Sequence, residues 1–99
     1  MVNEARSAPY RSADYLKTPQ DVADYLNAAL DDGDQTVLLL AMRNACEAIG
    51  GMSELARRSG LSRESLYRTL SVDGNPRLSS MRAILQAFGV KMSVRPRVA

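Results

Sequence analysis

The sequence predicts a mainly α-helical fold, a compact bundle of about five helices followed by one short C-terminal β-strand. Apolar residues recur three and four positions apart through most of the chain, which is the spacing of an amphipathic helix. Glycine and proline interrupt this spacing where helices are expected to end or begin. Apolar and polar residues alternate over residues 90–95, as they do in a half-buried strand. At 99 residues the chain has the length of one small domain.

The first predicted helix begins after Thr18, whose hydroxyl can accept a hydrogen bond from an amide of the first turn. Pro19 suits the first helical position because its fixed φ matches that of a helix. Apolar residues at helical spacing then continue to about Leu30. The preceding residues 1–14 mix charged residues with Ser, Ala and Pro and show no periodicity. We therefore expect a flexible N-terminal arm over residues 1–14 and a folded domain over residues 15–99.

The second predicted helix covers residues 35–49 and has Asp34 as its N-cap. It is apolar on most faces, so we expect it to be the central helix of the core. Its Cys46 is the one cysteine of the chain, and we expect it to be buried. A lone thiol forms no internal disulfide, and no stretch has the apolar length of a signal peptide or a membrane span. We therefore expect a cytoplasmic protein.

The stretch MSELARRSGLSRESLYRTL predicts two short helices joined by a tight turn. Ser53 is a candidate N-cap for the first of them, and Gly60 can adopt the left-handed conformation that ends it. Ser62 is a candidate N-cap for the second, in which Leu66 and Leu70 lie on one face. Two short helices with a glycine in the turn, the second with polar residues on its outer faces, are the pattern of a helix-turn-helix.

The fifth predicted helix follows a loop that contains Pro76, has Ser79 as its N-cap and ends at Gly89. The alternating segment of residues 90–95 follows and stops at Pro96. No other part of the sequence has a strand pattern, and a single strand cannot satisfy its own backbone groups. We therefore expect this strand to pair with a second copy of the chain in a symmetric dimer.

Charge is distributed unevenly along the chain, although the net charge is only +2. Residues 1–49 carry four Lys and Arg against eight Asp and Glu, a net charge of −4. Residues 50–99 carry nine basic residues against three acidic ones, a net charge of +6. The basic half contains the predicted helix-turn-helix, which is the distribution expected of a protein that binds nucleic acid.

The residue inventory argues against catalysis and against a cofactor. Because the chain has no histidine, it has no Ser-His-Asp or Cys-His arrangement, and its single thiol makes no zinc site. The segment GGMS lacks the lysine and the spacing of a phosphate-binding loop. The carboxylates at residues 31–34 lack the glutamate spacing of a calcium loop. We interpret the chain as a binding protein, without an enzymatic activity, a metal ion or a cofactor.

The predicted recognition helix and the loop after it supply the candidate contacts to double-stranded DNA. In such a helix Arg63 can bridge O6 and N7 of guanine, and Arg68 can reach a base or a phosphate. Glu64 either accepts a hydrogen bond from cytosine N4 or forms an ion pair with Arg68. Tyr67 either donates to a phosphate or lies on the surface. The candidate DNA-binding residues are Ser62, Arg63, Glu64, Ser65, Tyr67, Arg68, Asn75 and Arg77.

Phosphate contacts are expected from residues around the recognition helix. Asn75 and Arg77 precede the next helix, and Ser62 lies at a helix N-terminus, where anions are favoured. Arg57 and Arg58 lie on the first helix of the pair, where they either touch a phosphate or are solvated surface charges. A symmetric dimer would place two such units on a pseudo-palindromic site with half-sites about 34 to 36 Å apart.

Two segments together resemble a known family. YLKTPQDVADYLNAAL, followed by GGMSELARRSGLSRESLYRTLSVDGNPRLSSMRAILQAFGVKMSV, is similar to the addiction-module antidotes, the HigA-like antitoxins with an Xre-type helix-turn-helix. The resemblance covers residues 15–94. Its more specific parts are the LARRSGLSRESLYRTLS core, the GNP after it, the terminal GVKMSV and the joining of this core to the YLKT-type helix.

The resemblance implies an antitoxin encoded beside a small basic RelE/ParE-like toxin. Such an antitoxin dimerises, binds its own operator to repress the gene pair, and binds the toxin to block it. By this analogy Asn75 and Arg77 belong to the phosphate-contacting loop, and the residues at recognition-helix positions are Ser62, Arg63, Glu64, Tyr67 and Arg68. The sequence has no long toxin-wrapping tail, so toxin binding would use the folded body or the N-terminal arm. The acidic half of the chain is a natural docking face for a basic toxin.

Two other classes of function remain open. A stand-alone phage-type repressor without a toxin would carry the same residues. A protein-interaction module that has lost DNA binding is the other class, and the basic, polar recognition helix argues against it.

Overall fold

Five α-helices and one 3₁₀ turn make up the computed structural model, which describes residues 12–98 of the chain. The elements in order are a 3₁₀ turn at Ser12–Tyr15, α1 at Pro19–Asp32, α2 at Gln35–Ala48, α3 at Met52–Ser59, α4 at Arg63–Thr69 and α5 at Leu78–Ala87. The prediction of a mainly helical fold with about five helices is confirmed. The arm predicted over residues 1–14 lies largely outside the described residues, and its last three residues lie in the 3₁₀ turn.

The predicted C-terminal strand does not form in the single chain that the structure describes. Residues 90–98 form no strand, and residues 91–98 are exposed. A strand is defined by hydrogen bonds to a neighbouring strand, and residues 12–89 provide no such neighbour. Residues 90–95 therefore have the alternating pattern of a strand but no neighbouring strand within the described chain.

The start of α1 is fixed by side chains close to it in sequence. The Thr18 hydroxyl accepts a hydrogen bond from the Asp21 N–H at 3.1 Å, and the Asp21 carboxylate accepts one from the Thr18 N–H at 3.0 Å. The Asp21 carboxylate also accepts from the Lys17 N–H at 2.9 Å. These amide hydrogen bonds, first that from Lys17, hold the pKa of Asp21 below its usual value. The N-cap predicted at Thr18 is confirmed.

Two other predicted N-caps are wrong, each by two residues, because the N-cap residues are Gly51 and Arg77. α3 begins at Met52, so Ser53 lies inside the helix, and α5 begins at Leu78, so Ser79 does as well. Neither helix has a side-chain cap. Before α3 the chain is turned by Gly50 and Gly51, both with positive φ, and the helix starts as soon as this turn ends.

The core lies between α1 and α2 on one side and α3, α4 and α5 on the other. α1 packs against α2, while α3 packs against α4, α5 and α2. The buried residues are Val22, Leu26, Ala29, Leu39, Ala41, Met42, Ala45, Cys46, Leu55, Leu66, Leu70, Ile84, Ala87 and Phe88. α2 contributes more of them than any other helix, as predicted, and Cys46 is among them. Burial raises the pKa of the Cys46 thiol.

The core does not cover every apolar residue of α2. Val37 and Leu40 remain 37% and 49% exposed, although the continuous apolar run had indicated burial on most faces. None of the helices described between residues 12 and 98 is long and apolar enough to span a membrane.

Candidate nucleic-acid interface

The turn between α3 and α4 consists of three residues, Gly60, Leu61 and Ser62. Gly60 has φ 78°, and its N–H donates to the Ala56 carbonyl at 3.0 Å to end α3. Ser62 has an extended backbone, and its hydroxyl accepts a hydrogen bond from the Ser65 N–H at 3.0 Å to begin α4. The predicted cap at Ser62 and the predicted end at Gly60 are therefore confirmed. The Ser62 hydroxyl already has a partner within the helix.

α4 is anchored on one side and exposed on the other. Leu66 and Leu70 are fully buried, and they fix the rotation of the helix about its axis. Ser65 is half-buried. The remaining candidate contacts of this helix, which are exposed, are Arg63, Glu64, Tyr67 and Arg68. The structure thus brings five of the predicted site residues, Ser65 included, onto the outer side of one short helix.

Two of these exposed side chains lie close together. The guanidinium carbon of Arg63 is 6.0 Å from the centre of the Tyr67 ring, at the outer limit of a cation–π contact. Tyr67 is 54% exposed. Glu64 and Arg68 do not form an ion pair within the described chain, so the alternative interpretation of Glu64 as the partner of Arg68 is not seen. Glu64 and Arg68 are both exposed.

The loop after α4 folds back on the end of that helix. The Ser71 hydroxyl donates to the Arg68 carbonyl at 3.0 Å, and the Gly74 N–H donates to the Ser71 carbonyl at 2.9 Å. Asn75 and Arg77 are exposed at the far side of this loop, and Arg77 is the N-cap residue of α5. These two predicted residues are therefore on a loop that is attached to α4, with their side chains exposed.

Sequence reasoning missed two residues of α2 that contact this loop. The Gln35 amide nitrogen donates to the Gly74 carbonyl at 2.8 Å, and the Arg43 guanidinium donates to the Leu70 carbonyl. The partners are 39 and 27 residues apart in sequence. No spacing rule links residues at such distances, so the sequence carried no signal for either contact.

The structure also changes the interpretation of Arg57 and Arg58. The Glu54 carboxylate accepts hydrogen bonds from Arg57 Nε at 3.1 Å and Arg58 Nε at 2.7 Å. Bonds from Arg57 and then Arg58 lower the pKa of Glu54 to about 2, and the same contact raises the pKa of Arg57. Arg58 also donates to the Ala87 carbonyl at 3.4 Å, which joins α3 to the end of α5. Both arginines therefore form ion pairs with Glu54 and are not free surface charges.

Charge is separated between the two groups of helices. Residues 12–48, which comprise the 3₁₀ turn, α1 and α2, carry seven carboxylates against two basic residues. Residues 49–98 carry nine basic residues against three carboxylates. The exposed side of α4 and the loop after it belong to the basic group, and this arrangement favours a polyanionic ligand there.

Comparison with known proteins identifies the family. Residues 6–96 match the family model described as "Probable addiction module antidote protein". An uncharacterized protein of Haemophilus influenzae is 31% identical to the chain over 83 residues, which is 84% of each of the two chains. No solved structure matches the chain significantly. The family model covers nearly the whole described domain, and the chain therefore belongs to the addiction module antidote family.

Proposed function

We propose that this protein is the antitoxin of a type II toxin–antitoxin module, HigA-like, with α3 and α4 forming an Xre-type helix-turn-helix that binds operator DNA. The observation that carries the DNA-binding part is α4. Two fully buried leucines hold this helix, and its exposed side presents two arginines, a glutamate and a tyrosine from the basic part of the domain. The role is one of binding without catalysis.

In this proposal α4 enters the major groove and its N-terminal residues contact base edges. Arg63 would donate two hydrogen bonds to guanine, and Glu64 would accept one from cytosine N4. Arg68 would contact a base or a phosphate one turn later. Asn75 and Arg77 would contact phosphates from the adjoining loop, which sets the register of the helix in the groove.

The proposed toxin partner is a small basic protein of the RelE/ParE type. The acidic charge of α1 and α2 supports it because opposite charges favour encounter and orientation. Two large apolar side chains of these helices, Leu30 near the end of α1 and Leu40 on α2, are 56% and 49% exposed. A basic partner with an apolar contact surface would complement these two helices.

We also propose a cytoplasmic homodimer. Residues 91–98 make no backbone hydrogen bond to any part of the described chain, and Val94 is 97% exposed. Pairing of this segment with its copy would satisfy its backbone groups and place two recognition helices on one pseudo-palindromic operator. The buried free thiol of Cys46 is compatible with the reducing cytoplasm.

Two measurements test the proposal. In the first, the binding of the protein to a duplex from the region upstream of its gene is compared with its binding to an unrelated duplex of equal length at the same salt. Tighter binding to the upstream duplex supports the DNA-binding part, and equal or absent binding refutes it. In the second, the neighbouring small reading frame is expressed alone and then with this chain.

Growth arrest that this chain relieves supports the antitoxin part. Specific DNA binding without any such arrest favours the stand-alone repressor. Arrest that the chain does not relieve refutes neutralisation of that gene product.

A further inference from the structure

We propose that Gln35 and Arg43 of α2 are positioning residues for DNA binding, although neither lies in the helix-turn-helix. They hold the beginning and the middle of the loop that joins α4 to α5, at Leu70 and Gly74, and this loop carries Asn75 and Arg77. The inference rests on the proposed function, since it concerns the same DNA-binding surface.

Arg43 holds the beginning of the loop. Its guanidinium donates to the carbonyl of Leu70, the C-cap residue of α4. The last carbonyls of a helix have no partner within it, and a cation near them is also favoured by the helix dipole. Arg43 is half-buried, and Leu70 is fully buried. The contact therefore fixes the C-terminal end of the proposed recognition helix relative to α2.

Gln35 holds the middle of the loop. Its side-chain amide donates to the Gly74 carbonyl at 2.8 Å, and the Gly74 N–H donates to the Ser71 carbonyl at 2.9 Å. Gly74 is buried, and a Cβ atom there would lie 2.2 Å from the Thr69 carbonyl oxygen. The loop is thus packed tightly against the end of α4, and both backbone polar groups of Gly74 are satisfied. Asn75, the next residue, is exposed.

The consequence for DNA binding is one of pre-organisation. A hydrogen bond to a phosphate requires its donor within a few tenths of an ångström of the right place. If the loop were free, binding would have to order it, and that entropic cost would weaken the complex. Removing one of these two hydrogen bonds should therefore lower affinity roughly 3- to 10-fold, the range set by the net contribution of a hydrogen bond.

The experiment compares Gln35→Ala with Gln20→Ala. Both changes remove a glutamine from a helix, but the Gln20 amide donates to Asp24 on its own helix, α1, and not to the loop. Arg43→Met is compared with Arg43→Lys, which keeps the charge and a donor. Each full-length variant is measured by amide exchange of Gly74, by its thermal midpoint and by its affinity for the upstream duplex.

A double-mutant cycle with Arg77→Ala separates positioning from general stability. We expect Gln35→Ala to speed exchange at Gly74 and to weaken binding, with a smaller loss when Arg77 is already alanine. We expect Gln20→Ala to behave as wild type and Arg43→Lys to recover most of the loss seen in Arg43→Met. A purely structural role would change the thermal midpoint and leave the cycle additive.

The inference is overturned if Gln35→Ala leaves Gly74 exchange unchanged, or if it loosens the loop without weakening DNA binding. An additive cycle with Arg77→Ala also overturns it. Wild-type protein that binds no duplex specifically refutes the proposed DNA-binding function itself. The exchange of Gly74 is measured without DNA, so this readout still decides whether α2 holds the loop.

Discussion

Replacing both Arg63 and Arg68 by alanine should remove most of the specific DNA binding and leave the fold intact. Both side chains are exposed on α4 and neither is part of the core, so stability should change by less than about 1 kcal/mol. If each makes a bidentate contact to guanine, each loss costs about 1 to 3 kcal/mol. The two losses together give about 2 to 6 kcal/mol if they are additive, which corresponds to roughly 30-fold to more than 10,000-fold in affinity.

The assay is fluorescence anisotropy with the upstream duplex at one fixed salt concentration. Its control is the double variant Lys17→Ala with Arg82→Ala, which removes the same charge from exposed positions before α1 and on α5. If loss of charge alone explained the effect, the two double variants would weaken binding equally. Wild-type affinity in the variant of Arg63 and Arg68 would show that α4 is not the recognition helix.

Four further predictions follow from the same structure. Arg77→Ala should weaken binding to all duplexes alike and lower the slope of log affinity against log salt by about 1, because its expected partner is a phosphate; an unchanged slope in a salt titration contradicts this role. Leu66→Ala, at a fully buried position, should lower the free energy of unfolding by about 2 to 5 kcal/mol in urea, whereas Leu78→Ala, at a position 58% exposed, should change it by less than about 0.5 kcal/mol. Glu54→Gln should lower the thermal midpoint at pH 7, because the ionised carboxylate stabilises the fold. The difference from wild type should shrink as the pH falls from 4.5 to about 2, where the carboxylate of the folded protein becomes protonated. A difference in thermal midpoint that persists at pH 2 argues against the ion pairs as its source. Removing residues 91–99 should shift the protein towards monomer in sedimentation velocity, and a dimer that survives the deletion contradicts pairing through this segment.

The helix boundaries show which parts of the fold local sequence can predict. Thr18, Asp34 and Ser62 all act as N-caps, because a cap depends on a side chain and amides two or three residues away. Gly60 and Gly89 end helices in the left-handed conformation for a similarly local reason. Where glycines turn the chain just before a serine, as before α3, the backbone begins the helix earlier than the serine pattern predicts.

The errors and omissions share a different cause, which is dependence on distant groups. Alternation over residues 90–95 describes which side chains can share a face, but a strand also needs a neighbour to receive its hydrogen bonds. The sequence positions of Leu66 and Leu70 were enough to predict which side of α4 is exposed. They could not predict that Arg43 supports the end of this helix. That contact exists because α2 passes the end of α4, and this crossing is set by packing of the whole core.

The distribution of charge over the domain also depends on how its helices pack. A net charge of +2 on 99 residues predicts little about a partner. Because α1 packs on α2 while α4 and α5 both pack on α3, the separation along the sequence becomes a separation in space. Exposed charges act over about 8 Å at physiological salt, so a polyanion approaching α4 experiences mainly the basic group. Arg43, one of two basic residues in the acidic group, reaches out of it to the Leu70 carbonyl, where its positive charge stabilises the end of the proposed recognition helix.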